Sequence, residues 1–426
     1  MKRRLTETIA PRKRNVSEAA CEVGAQAGTL CFFTSVLLLF GCAQSTKQVQ
    51  LTKPLQSTKP PAAMPESRSV GCLRLIGEQR LPLNYQFDRT TVGGLSGIDY
   101  DPRSGDWIVE SDDRSEIDPA RFYVARLDYD AQVFRNVTLT AVRFFKQADG
   151  SNYPGFADAA KKGGEVPDIE DIRFDPIDGS VWYSSEGLRR LGLGPFVKHA
   201  GLDGRYIGTL PVAPMFYIST DREWGPRDNL SFEGISFSPD GKTLWVGMET
   251  ALYQDGPVAG ASHGATARFT KYARNGAVLA QYAYRTEPIT HSSLGKLADN
   301  GVSDILAINA NQLLVLERSG VQNAAGVFEY FVRLYKADAQ GASNIKGIAS
   351  LVSTDHVPVA KVLVLDFDQV GLKRVDNLEG IAWGPHLANG HDSLVLVSDN
   401  NFDPSQVTQF LAFEVMPESS GKAGCP

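Results

Sequence analysis

Apolar and polar residues alternate along most of this chain in runs of roughly five to ten, the period-two pattern of half-buried β strands. Four segments carry one version of it: GGLSGIDYDPRSGDWIVESDD from Gly93, PDIEDIRFDPIDGSVWYSSE from Pro167, LSFEGISFSPDGKTLWVGMET from Leu230 and NLEGIAWGPHLANGHDSLVLVSDNN from Asn377. In each, an Ile and an aromatic two residues later precede a turn, usually Asp-Pro or Pro-Asp-Gly. An apolar strand ending at a carboxylate follows. This is a β-hairpin written four times, with a degenerate fifth copy in VSDILAINANQLLVLERSG.

Aligned on Ile98, Ile172, Ile235, Ile305 and Ile381, the copies lie 74, 63, 70 and 76 residues apart, room for about four strands each. Repetition at this spacing predicts an all-β fold, a single β-propeller of five four-stranded blades. Six blades are the alternative, with a degenerate one between Val321 and Val370. QFLAFEV supplies a third strand to the last blade, and little chain remains after it. The fourth is therefore expected from CLRLIGEQRLP, Cys72 to Pro82, which would close the ring and remove the open edges that make sheets aggregate.

Hydrophobic residues make up 42% of the 426 residues, enough for a large core, and 40 Gly with 23 Pro suit many tight turns. The net charge of -6 argues against nucleic-acid binding, which needs clustered Lys and Arg. Residues 1–42 read as a targeting segment: a basic stretch (Lys2, Arg3, Arg4, Arg12, Lys13, Arg14) precedes an apolar run, Leu30 to Phe40, too short to span a bilayer. The run ends in Leu39-Phe40-Gly41-Cys42, which resembles a bacterial lipobox with Cys42 as the lipidated residue, although Phe40 is bulkier than usual there. An uncleaved anchor or ordinary secretion are the alternatives. Ala43 after the Cys favours the outer membrane by the same resemblance. Residues 43–70, rich in polar residues and Pro, are expected to be a flexible tether, and residues 71–426 the propeller domain. Lipid is then the sole membrane contact of a monomer.

Cys21 and Cys31 would leave with the signal, which leaves Cys72 and Cys425. An oxidising periplasm permits a disulfide between them, worth about 5 to 6 kcal/mol as an upper figure from chain entropy. Two unrelated thiols are the alternative.

The repeats also align acids. The leading position, two residues before the Ile, holds Ser96, Glu170, Glu233, Ser303 and Glu379. The trailing position holds Asp112 (with Asp113), Glu186, Glu249, Glu317 and Asp399. A hairpin sets the start of one strand beside the end of its partner, so each pair is expected at one rim of the axial channel. Two carboxylates about 4 Å apart repel by roughly 4 kcal/mol at an effective dielectric of 20. Candidates to offset them are Arg114, Arg189 and Arg318, each just past a trailing acid, or a hard cation such as Ca²⁺, which prefers carboxylate oxygen. The other reading has each acid cap backbone amides in its own blade. Zinc is disfavoured, because six scattered His and scarce Cys give no paired-ligand spacing. His386 and His391, in the last hairpin loop, fit solvated loop residues. Gly260-Ala261-Ser262-His263-Gly264 matches GxSxG, yet it falls in a loop between strands and not at a strand-to-helix elbow. TDREWGPRDN, Thr220 to Asn229, is a polar loop that suits an anion-recognising rim or an exposed turn.

At these residues the chain resembles the bacterial "esterase-like activity of phytase" family, through GGLSGIDYDP, PDIEDIRFDP with YSSEG, NLSFEGISFSPDGKTLWVGMET, and NLEGIAWGP with LVSDNNF. The resemblance covers about residues 72 to 416. It implies ester or phosphoester hydrolysis; with the aligned acids, the expectation is a metal-assisted esterase or phosphoesterase of the cell envelope, acting on a small anionic or ester substrate at the channel mouth. The expected roles are Glu170 and Glu233, with Arg114 and Arg318, in catalysis, and Glu170, Glu186, Glu233, Glu249, Glu379, Asp112 and Asp399 around the metal. A non-catalytic periplasmic propeller that binds a ligand or protein through the same rim is the alternative.

Overall fold

The computed structural model describes residues 68–219, 221–295 and 297–418. Strand β1 (Cys72–Leu81) and a small hairpin, β2 (Tyr85–Phe87) with β3 (Thr90–Val92), precede the first blade. Blade 1 is β4 (Leu95–Asp101), β5 (Asp106–Ser111), β6 (Arg121–Tyr129) and β7 (Phe134–Phe144); blade 2 is β8 (Ile169–Phe174), β9 (Val181–Ser185), β10 (Phe196–Ala200) and β11 (Tyr206–Thr209). Blade 3 comprises β12 (Phe232–Phe237), β13 (Thr243–Met248), β14 (Thr266–Ala273) and β15 (Val278–Arg285), and blade 4 β16 (Ala298–Ala307), β17 (Gln312–Gln322), β18 (Phe328–Asp338) and β19 (Ala360–Asp366). Blade 5 is β20 (Asn377–Trp383), β21 (Asp392–Asp399) and β22 (Thr408–Met416), completed by β1.

The count is five. The stretch that could have hidden a sixth blade supplies β18 and β19, the outer half of blade 4. Closure follows the expected route: β1 pairs antiparallel with β22 from Cys72 opposite Met416 to Leu81 opposite Thr408. Cys42 and Cys425 lie outside the described residues, and so do residues 1–67, on which the expected targeting segment and most of the expected tether fall.

Position in the blade decides the burial pattern. The innermost strands β8 and β12 are buried along nearly their entire length, on both faces, because each is covered by the next blade. The outer strand β7 alternates buried and exposed, as a half-solvated strand must. Large aromatics fill the wedges between blades: Phe122, Phe145 and Tyr183 between the first and second, Trp182 and Phe237 between the second and third, Phe367 and Phe413 between the fourth and fifth. The turn Asn275-Gly276 joins β14 to β15, with Gly276 at φ 85°, a backbone region that favours glycine.

Every innermost hairpin breaks register at the same place. Pairing shifts between Leu95 and Ile98, Ile169 and Asp171, Phe232 and Ile235, Val302 and Asp304, and Leu378 and Gly380. The leading positions Ser96, Glu170, Glu233, Ser303 and Glu379 therefore sit in β-bulges, which re-aim a side chain that regular pleating would place elsewhere.

Between each leading residue and its Ile the five blades carry Gly97, Asp171, Gly234, Asp304 and Gly380. The alternation is a packing device. Asp171 Oδ2 accepts the Ile235 N–H of the next blade at 2.7 Å, and Asp304 Oδ2 accepts that of Ile381 at 2.8 Å. The glycines leave the space these contacts need: a Cβ on Gly97 would lie 2.7 Å from both Asp171 Cα and Ile172 N, and one on Gly380 2.5 Å from Ser96 O.

Candidate functional site

Arg173, from β8, lies across the axis and divides it into two ends. Its Nε donates to Ile235 O at 2.7 Å and its Nη1 to Ile98 O at 2.5 Å and Ile381 O at 3.0 Å. Its Nη2 donates to both oxygens of Asp304, at 2.8 and 2.7 Å, and to Ile305 O at 3.3 Å, while Asp171 lies 3.0 Å away. The repeat isoleucines of all four other blades thus offer their carbonyls to one guanidinium. The channel expected from the repeats is crossed by this side chain.

The bulges lie on one side of this plug, and the acids gather there. In two trios, Asp168, Glu170 and Glu186, then Glu186, Glu233 and Glu249, one oxygen from each member lies within 4.8 Å of the others. Glu186 belongs to both, and its Oε1 accepts the Ser231 N–H at 2.5 Å. All five are buried, and Asp168 Oδ2 and Glu110 Oε2 are buried without a hydrogen-bond partner. Glu379 joins from blade 5, accepting from Ser96 Oγ at 3.1 Å and Asn377 Nδ2 at 2.9 Å.

Two cations stand among these carboxylates. Arg114 bonds Asp168 Oδ1 and Asn229 Oδ1. Arg318 Nη2 bonds Glu249 Oε1 at 3.0 Å, and its Nη1 bonds Asn377 Oδ1 at 3.1 Å and lies 3.6 Å from Glu379. They do not balance the acids. Burial first, then Glu233, Asp168 and Glu186, pushes Glu170 well above the ordinary carboxylate range. Burial and then Glu249, Glu186 and Glu379 do the same to Glu233, against the opposing pull of Arg318. Burial works against the Arg318 charge, yet Glu379, Asp299 and Glu249 hold its pKa above the ordinary value.

Other residues singled out in the sequence fall differently. Asp112 acts electrostatically on Glu170 and Glu110, at the edge of the cluster. Asp399 stands behind Asn377, receiving its Nδ2 at 3.2 Å and the Asn401 N–H at 2.6 Å, so it buttresses Glu379 at one remove. Glu317 is engaged with Tyr284, Lys361 and the Glu287 N–H, and Asp113 with Arg121. Arg189 turns away from the acids: it binds the carbonyls of Ser219, Arg222, Trp224 and Pro226 and so pins the TDREWGPRDN loop. That loop contributes Asn229 to Arg114. His391 is bound to Glu414, and exposed His386 lies at the opposite end of the axis. The GxSxG segment lies between β13 and β14 and closes a turn, Gly260 N–H to His263 O.

Sequence reasoning missed Asp168, Glu110, Asp171, Arg173 and Asp304. Asp168 and Arg173 stand inside PDIEDIRFDP, and the signal was their place in the strongest copy of the repeat. A third acidic group, Asp175, Asp178 and His199, lies at the turn of blade 2. There Trp182 and Arg274 hold Asp175, and Ser180 Oγ bonds both Asp178 and His199.

A second feature occupies the far end of the axis, where the innermost strands finish in their turns. A cavity of about 340 Å³ is walled by Tyr100, Phe174, Phe237, Leu306 and Trp383, with Pro102, Pro176, Pro239 and Pro385 from four repeat turns. Arg173 and Asp99 line it from below and Arg68 and His386 from the rim.

Fold and carboxylates together define a five-bladed propeller with an acid-lined axial end. The chain belongs to the family described as "Esterase-like activity of phytase", whose sequence profile matches residues 90–402. A protein of Arthroderma benhamiae described as an uncharacterized secreted protein is 26% identical over 291 residues, 54% of this chain and 52% of that one. The chain thus spans about half the length of this curated relative. Among solved structures, similarity extends to the Dos1 propeller (8% identity, 75% of this chain and 67% of that one, TM-score 0.28). It extends also to the catalytic domain of a Coprinopsis cinerea GH62 α-L-arabinofuranosidase (9%, 82% and 98%, TM-score 0.37). At such scores neither bears on the chemistry of this chain.

Proposed function

We propose that the acidic end of the axis holds a divalent cation, Ca²⁺ by the chemistry of its donors, and hydrolyses phosphoric or carboxylic esters. The observation that carries this reading is Asp168: its Oδ2 is buried and unpartnered within a trio of carboxylates that repel one another. An all-oxygen, mostly anionic donor set suits a hard cation. Asp168, Glu170 and Glu186, with Glu233 and Glu249, would hold it, and Glu379 would complete its surroundings. Such an ion supplies Lewis-acid polarisation and a more acidic bound water. Arg114 and Arg318, fixed by Asn229 and Asn377, are placed to steady negative charge that develops on a substrate oxygen.

The setting that accompanies this reading is the bacterial envelope, with Cys42 as lipid anchor to the outer membrane, or a free periplasmic or secreted protein. Cys72 and Cys425 would pair there. The test is hydrolysis of p-nitrophenyl phosphate and p-nitrophenyl acetate by the intact protein with and without Ca²⁺. Glu233→Gln is expected to abolish metal-dependent turnover while the circular dichroism spectrum is kept. Unchanged turnover in that folded variant, or no turnover with either ester, would overturn the hydrolase.

A second reading, a non-catalytic ligand-binding propeller, is favoured by one observation. The cavity of ligand size lies at the other end, with Arg173 between it and the acids.

A further inference from the structure

The far cavity has a chemistry of its own. At about 340 Å³ it falls in the range of small-molecule sites. Its aromatic walls, Tyr100, Phe237 and Trp383, surround a carboxylate, Asp99, whose Oδ2 accepts the Phe174 N–H at 2.8 Å. The cations that line it are already engaged. Arg173 is committed to backbone carbonyls and Asp304, and Arg103 bonds Asp101 Oδ1 at 2.7 Å and reaches the Asp175 carbonyl.

Arg68 shows how the mouth receives a cation. Its guanidinium carbon stands 4.3 Å over the Trp383 ring, its Nε lies 3.6 Å from Asp392 Oδ1, and its backbone N–H is anchored on Ile308 O. His386 Nδ1 lies 3.2 Å from the same Asp392 oxygen, so Arg68 and His386 share one carboxylate at the rim. Asp99 and Asp392 both act on Arg68 electrostatically. An anionic ligand would meet Asp99 with every nearby cation already engaged. A ligand cation would meet the Asp99 carboxylate among the side chains of Tyr100, Phe237 and Trp383, and aromatic surroundings favour ammonium groups.

We infer that this cavity binds a small organic amine, with its apolar body against Phe237 and Trp383 and its ammonium directed at Asp99. The site gives the ligand-binding reading its ligand class, and it stands whether or not the acidic end cleaves esters. Burial, partly offset by Arg173, lifts the Asp99 pKa to about 6, so the carboxylate is ionised at pH 7.5.

The experiment is calorimetric titration of the intact protein at pH 7.5 with phenethylammonium, and with 2-phenylethanol and 3-phenylpropionate as neutral and anionic counterparts. Saturable one-to-one binding of the amine is expected, about tenfold or more tighter than the alcohol and tighter still than the acid. Asp99→Asn should weaken the amine by about tenfold and leave the alcohol unchanged. Glu233→Gln, which acts on the acidic end, should leave amine binding as it is, so that failure of the hydrolase and failure of this site are told apart. No binding of the amine, equal binding of amine and alcohol, or preference for the acid would overturn the inference. If Asp99→Asn does not fold, Phe237→Leu takes its place, and undiminished amine affinity in that variant would overturn it equally.

Discussion

Arg173 Nη2 donates to both carboxylate oxygens of Asp304, at 2.8 and 2.7 Å, across the propeller axis and from a strand 131 residues earlier in the chain. With Asp171 at 3.0 Å and carbonyls from four blades around it, this guanidinium ties its own blade to the other four at the centre.

Removal of that charge leaves two buried carboxylates without their counter-ion and four carbonyls without this donor. Arg173→Met should therefore lower the unfolding free energy by about 3 to 5 kcal/mol, the usual effect of breaking a buried pair from one side. Urea denaturation measures it. A loss below about 1 kcal/mol would mean that the plug is not a structural centre.

The Gly and Asp alternation predicts an asymmetry among glycines. In Gly97→Ala the new Cβ would meet backbone of the neighbouring blade at 2.7 Å, where nothing flexible can give way, and a loss of about 1 to 3 kcal/mol is expected. Gly208→Ala, with open space around it, should stay within about 0.5 kcal/mol of the parent. Equal melting temperatures for the two variants would contradict the packing argument.

Calcium should stabilise the protein if the trios bind it. At a concentration about 100 times Kd, linkage gives about 2.7 kcal/mol, read as a rise in Tm over the EDTA-treated protein. Glu170→Gln and Glu186→Gln should each diminish the rise, the latter more, since Glu186 belongs to both trios. An unchanged Tm on addition of Ca²⁺ would remove the metal from the proposal.

Asp99 predicts a pH dependence. Its folded pKa of about 6, raised above the ordinary 3.8 mainly by burial, means that the folded protein binds a proton more readily than the unfolded chain. Its contribution is fully present below pH 3.8 and is lost as pH rises toward 6, with a slope of at most about 1.4 kcal/mol per pH unit. Arg173 opposes the shift and Asp101 adds to it, while Arg68, Arg103 and His386 line the same cavity. The difference in stability between the parent and Asp99→Asn, followed from pH 4 to 7, should show that slope. A flat difference would place the Asp99 pKa near its ordinary value.

What the chain determined by itself was everything that local pattern governs. Period-two alternation and the Asp-Pro, Pro-Asp-Gly and Asn-Gly turns marked the hairpins. The Ile spacing pointed to five blades with six as the alternative, and CLRLIGEQRLP was the expected closing strand. The pairing of Glu170 with Glu186, and of Glu233 with Glu249, was also legible, because a hairpin brings its two ends together. The tertiary structure alone decided the rest. The bulges aim the leading acids, and the trio of Asp168, Glu170 and Glu186 excludes Glu317, which Lys361 and Tyr284 engage. Arg173 looks like any polar residue in a strand until the other four blades converge on it. The turn motif, read as fold chemistry, proves to wall a cavity. Such outcomes depend on which side chains from distant segments meet at the axis, and neither propensity nor period encodes a meeting of residues more than 100 positions apart.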